Sequence, residues 1–101
     1  VSEGVREDDW RQGQATGIHA AYHAIGAFPE TDFRADLKQI SVPTLIVHGS
    51  DDQICPIDLT GKPAAALIPH AKFVMYEGGS HGLLLTDKEK QNADLLAFLK
   101  S

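Results

Sequence analysis

The chain has 101 residues, with 14 acidic and 9 basic side chains, a net charge of −5 and a pI near 5.4. That balance argues against a nucleic-acid partner, because phosphate binding needs a basic surface. No apolar run approaches the ~20 residues of a membrane-spanning helix, and the single cysteine, Cys55, excludes an internal disulfide framework. The remaining composition, 43% hydrophobic and 23% charged, is that of one ordinary globular domain. Residues at the amino terminus show no charged-then-apolar signal pattern, so a cytoplasmic chain is expected. The sequence opens at Val1 and its only methionine is Met75, so a section of a longer protein is expected.

Residues 1–9 are polar and acidic and read as a loose lead-in. From Trp10 to Phe28 a helical pattern takes over, with Ile18, Ala21, Tyr22 and Ile25 on one stripe, stopped by Pro29. A second helix is expected over Thr31–Ile40, placing Phe33, Leu37 and Ile40 on one face. The period then changes. Pro43 to His48 is a continuous β-branched, apolar run closed by Gly49, the pattern of a strand buried on both faces. An Asp-rich loop follows, and residues 58–68 suggest a helix that begins near Pro63. Lys72–Tyr76 is a second strand, ended by Gly78 and Gly79. Thr86-Asp-Lys-Glu89 has the form of a capping box, opening a helix that carries Leu95, Leu96 and Leu99.

Two strands joined through a helix run parallel. Parallel sheets need several strands and helices on both faces, and a uniformly apolar strand makes a poor exposed edge. The expected fold is therefore an α/β section with two parallel strands, flanking helices and an incomplete sheet. Residues 1–40 would form a helical segment and 41–101 a closing β-α-β-α section, together one partial domain. An exposed parallel edge also predicts self-association of the isolated chain.

Ligands of open α/β sheets bind beyond the carboxyl ends of the strands. Two loops have that position here, His48-Gly-Ser-Asp-Asp52 and Glu77-Gly-Gly-Ser-His81-Gly82. Asp52 and His81 are 29 residues apart, the length of one crossover. Neighbouring strands lie about 4.8 Å apart, so the carboxylate of one loop reaches the imidazole of the next. A carboxylate bonded to Nδ1–H fixes the tautomer and supports the imidazolium, which suits His81 as a general base.

These words resemble a family. His48-Gly-Ser-Asp-Asp52-Gln-Ile-Cys-Pro56 is similar to the acid loop of α/β-hydrolases, and Gly79-Ser-His-Gly82 to their histidine loop. Phe28–Phe33, Val42–Gly49 and Asp94–Lys100 narrow the resemblance to the non-haem chloroperoxidases and arylesterases, from about Gly17 to Ser101. It implies the carboxyl-terminal part of a serine hydrolase, with Asp52 as triad acid and His81 as base. The nucleophile and oxyanion hole would lie on the missing amino-terminal half of the fold, which leaves this chain inactive alone. The implied reaction is acyl transfer from small carboxylic esters, the acyl-enzyme being released by water or by hydrogen peroxide. A peracid formed in the second case oxidises halide, so no metal or organic cofactor is implied. Phe28, Cys55, Ile57 and Leu83 are the expected acyl-pocket lining.

Rival readings attach to several residues. Asp51 lies beside Asp52 but two residues after Gly49, where the motif has the acid three residues after it. Gly78-Gly-Ser80-His-Gly82 spells G-x-S-x-G, yet a nucleophile elbow needs a helix starting at once. The helix-start signal here is Thr86. His19 and His23 have an i, i+4 zinc spacing without the glutamate of H-E-x-x-H, since Ala20 follows His19. Cys55 reads as a small buried hydrophobe and His48 as a brace for its loop. A non-catalytic subunit paired with a separate chain, or a binding module of the same fold, is the alternative to the enzyme.

Overall fold

The computed structural model describes residues 1–101 and divides into two compact units, Val1–Phe33 and Arg34–Ser101. The first unit is a pair of helices. Helix α1 (Glu3–Ala15) covers most of the expected loose lead-in. Ser2 caps it, its hydroxyl accepting the amide of Val5 at 3.3 Å. The pairs Glu7–Arg11 and Asp8–Gln12 link successive turns. These polar i, i+4 contacts support a helix that has no apolar stripe, which is why hydrophobic periodicity alone misses it. Helix α2 (Ile18–Glu30) follows a break at Thr16-Gly17, so the single helix expected over 10–28 is two. Pro29 lies inside α2 rather than ending it. Its missing amide removes one helical donor in the last turn, where Thr31 donates its hydroxyl to the Ala27 carbonyl at 2.7 Å. Ile18, Tyr22, Ile25 and Phe28 are all exposed on this helix.

The second unit holds the sheet. A single turn, α3 (Arg34–Leu37), replaces the longer helix expected there. Strand β1 (Leu45–Gly49) leads through α4 (Gly61–Leu67) to β2 (Lys72–Tyr76), and the two strands pair in parallel with Leu45 opposite Lys72 and Gly49 opposite Tyr76. Pro63 sits in the first turn of α4, where a missing N–H removes no helical bond. The turn α5 (Leu83–Thr86) and helix α6 (Lys88–Leu99) complete the order. The expected capping box does not form. Thr86 ends α5, and its hydroxyl contacts the Gly82 carbonyl and the Asp87 carboxylate.

Ile57, Ile68, Tyr76 and Leu83 form the core of this unit. Tyr76, at the end of β2, donates its hydroxyl to Asp94 on α6 at 2.6 Å. Lys90 reaches the same carboxylate oxygen at 2.8 Å and lies 3.6 Å from the centre of the Tyr76 ring. One carboxylate and one ammonium thus fasten α6 to the strand that delivers the second loop. Residues of β1 from Leu45 to His48 are only half-buried in this two-stranded sheet. A groove of about 530 Å³ lies open between Leu45 and Val47 of β1 and Leu84, Leu95 and Phe98.

Candidate active site

The two loops meet because the parallel ladder continues past the strands. The Ser50 amide donates to the Tyr76 carbonyl at 2.9 Å and the Asp51 amide to the Gly79 carbonyl at 3.0 Å. In return the Gly78 amide donates to the Ser50 hydroxyl at 2.7 Å. Gly49 is required at this junction: a β-carbon on it would overlap the Gly79 carbonyl. Ser50 was not singled out by sequence reasoning. Its only signal is a serine directly after the strand-ending glycine, a common turn composition.

Asp52 is the centre of what the loops build. It is 8% exposed. Its Oδ1 accepts the backbone amides of Ile54 at 2.9 Å and Cys55 at 2.8 Å, so the loop wraps around its own carboxylate. Its Oδ2 lies 2.9 Å from Nδ1 of His81. Burial alone would push this carboxyl up, but the Cys55 amide, the His81 ring and the Ile54 amide outweigh it and hold the group at about 2. Asp52 is therefore ionised at neutral pH, and Nδ1 of His81 is the donor in their bond. With Nδ1 so committed, Nε2 is the nitrogen left to take a proton, on a side chain that is 51% exposed.

His48 also reaches Asp52. Its Nε2 lies 3.2 Å from Oδ2 and 2.9 Å from the Cys55 carbonyl. The expected brace for the loop thus touches the carboxylate itself. Asp51 takes no part: its carboxylate accepts from the Gln53 side chain. Ser80 uses its hydroxyl to accept the Gly82 amide at 3.2 Å. A helical turn starts three residues after Ser80, earlier than the Thr86 signal implied, but α5 has only four residues and its cap, Gly82, makes no side-chain bond.

Of the expected pocket residues, Ile57 and Leu83 are core side chains, 7% and 6% exposed, and Leu83 packs over Gly79. Cys55 is half-buried and contributes its backbone to both Asp52 and His48. Phe28 belongs to the first unit, exposed on α2. No group of three or more His, Cys, Asp or Glu side chains is placed to hold a metal.

A parallel crossover whose strand ends bring a carboxylate against an imidazole is an α/β arrangement able to orient a histidine as a base. Residues 6–88 match the family model of the alpha/beta hydrolase fold, and the chain belongs to that family. It is 46% identical to the non-heme chloroperoxidase CPO-A1 of Kitasatospora aureofaciens, over 98% of this chain and 37% of that protein. It is 48% identical to the bifunctional esterase/perhydrolase DCH of Acinetobacter calcoaceticus, over all of this chain and 37% of that protein. Among solved structures, the bromoperoxidase from Bacillus anthracis superposes with a TM-score of 0.94 at 39% identity. That likeness covers 100% of this chain and 37% of the solved one, so the chain spans a little over a third of the length of its relatives.

Proposed function

We propose that this chain is the carboxyl-terminal part of a serine hydrolase, supplying the acid and the base of a Ser-His-Asp triad for acyl transfer from small carboxylic esters. The observation that carries it is the 2.9 Å contact of His81 Nδ1 with Asp52 Oδ2 at the carboxyl ends of two parallel strands. In the complete enzyme a serine on the preceding part of the fold attacks the ester carbonyl. His81 Nε2 takes the serine proton as the new C–O bond forms, then returns it to the leaving alcohol as the old bond breaks. Asp52 keeps its charge throughout and stabilises the imidazolium. Water then attacks the acyl-enzyme through the same base and releases the carboxylic acid. Hydrogen peroxide as acceptor yields a peracid instead, and the relatives named as a perhydrolase and a chloroperoxidase favour including that branch.

A base without its nucleophile activates nothing, so the isolated chain is inactive. The half-buried β1 and the open groove beside it suit a sheet that continues onto further strands.

The test is a graft. Residues 1–101 replace the matching section of the Acinetobacter esterase/perhydrolase, and hydrolysis of a short-chain aryl ester is measured, with and without peroxide. The folded graft should turn over the ester, and Asp52→Asn and His81→Ala should abolish most of that activity. A folded graft that keeps its rate in both variants would overturn the assignment. The chain alone, treated with a fluorophosphonate, should carry no label at Ser80.

A further inference from the structure

His48 does more than brace a loop. Oδ2 of Asp52 is hydrogen-bonded to His81 Nδ1 at 2.9 Å and lies 3.2 Å from His48 Nε2. His48 Nε2 also faces the Cys55 carbonyl at 2.9 Å. The carbonyl is an acceptor, so Nε2 carries a proton and donates it there, with Oδ2 of Asp52 close by as an electrostatic neighbour. The His48 side chain is 13% exposed and that of Asp52 is 6%. Its ring is set closely: a β-carbon on Gly61, the first residue of α4, would overlap His48 Nδ1. Strand β1, the acid loop and the start of α4 therefore converge on one imidazole.

We infer that His48 is a positioning residue of the acid–base pair, holding the Asp52 carboxylate in the orientation that His81 uses. This rests on the acid–base reading of Asp52 and His81. The geometric reason lies in what would otherwise hold the carboxylate. Oδ1 is gripped by the amides of Ile54 and Cys55, both on the same loop. Those bonds tie the carboxylate to the loop, while His48 ties it to the strand. It does so through the Cys55 carbonyl, whose own amide is on Oδ1. Without that hydrogen bond, the loop and its carboxylate move together relative to β1, and His81 loses a fixed acceptor.

The inference separates from simple ring packing. His48→Phe fills the space beside Gly61 but donates nothing, whereas His48→Gln places an amide donor near the Nε2 position. The measurement is nuclear magnetic resonance on the folded graft, made at neutral pH without any substrate. In the wild type, the His48 ring should show a proton on Nε2, and the His81 Nδ1 proton should be observed as a slowly exchanging signal. In His48→Phe that signal should be lost, and the Ile54 and Cys55 amides should exchange roughly tenfold faster, as expected for loss of one hydrogen bond. His48→Gln should restore the signal and bring exchange to within about threefold of the wild type. A bare Nε2 on His48 would overturn the inference, even where a variant fails to fold. So would a His81 proton signal that persists in His48→Phe. Failure of the acid–base reading shows elsewhere, in turnover by the graft.

Discussion

The backbone of Gly49 sits against the carbonyl of Gly79 so closely that no side chain can stand between them. The oxygen it meets is also the acceptor of the Asp51 amide. Gly49 lies three residues before Asp52 and Gly79 two before His81, so the approach of two backbones sets the distance between acid and base.

Gly49→Ala should push the loops apart. The expected outcome is a destabilised chain, by about 1–3 kcal/mol in chemical denaturation, because the contact is with backbone rather than with a yielding side chain. The His81 Nδ1 proton signal should weaken with it. A variant as stable as the wild type, with that signal intact, would count against the glycine's role.

Within the graft, Asp52→Asn should lower ester turnover by roughly 10³–10⁴-fold with little change in KM, since the lost interaction orients and supports a base rather than binding substrate. Asp51→Asn keeps the backbone amide that contacts Gly79 and should change turnover by less than about threefold. Steady-state kinetics of the two variants side by side decide between the neighbouring carboxylates.

The ionised form of Asp52 contributes stability because its carboxyl is held at about 2, below the ordinary 3.8. The sign follows from that depression. The contribution is complete above the unfolded value and is lost as pH falls through the folded one. Denaturant midpoints should therefore fall between about pH 4 and pH 2, and Asp52→Asn should flatten the dependence in that window. An identical slope in wild type and variant would show that other carboxylates govern acid unfolding.

Tyr76→Phe removes the hydroxyl that binds Asp94 while leaving the ring beneath Lys90. Thermal unfolding should shift down by roughly 4–8 °C, the size expected for one such bond in a chain of this length. Asp94 is held below its usual range by Lys90 and then by Tyr76, so loss of the hydroxyl should raise its titration midpoint.

The isolated chain should self-associate, since Ile18, Tyr22, Ile25 and Phe28 are exposed on α2, and Leu95, Leu96 and Leu99 on α6. Sedimentation velocity over a hundredfold concentration range, roughly, checks this. A sharp, concentration-independent monomer would contradict it.

The crossover was legible in the sequence because its punctuation is local. Glycines end both strands, and the second strand falls on Lys72–Tyr76 as its apolar run implies. The Asp52–His81 pair was legible for the same reason, since one crossover fixes its spacing. Helix α1 was not, because its order comes from a serine cap and from charged and amide pairs one turn apart. Thr86 misled because a capping-box pattern does not reveal that a turn beginning at Leu83 already uses the threonine. The hydrogen bond of His48 was hidden as well. It depends on the acid loop folding back until the Cys55 carbonyl faces the strand end, which no spacing rule encodes.

The 29 residues between Asp52 and His81 also set an order of events on the ribosome. At roughly 5–20 residues per second, the carboxylate is made a few seconds before the imidazole it will serve. Its local donors, the amides of Ile54 and Cys55, are made directly after it, and the ring of His48 that holds the Cys55 carbonyl is made before it. The acid loop can thus settle as a closed turn while its partner strand is still being translated. When β2 arrives and pairs with β1, His81 is delivered to a carboxylate whose other contacts are already made.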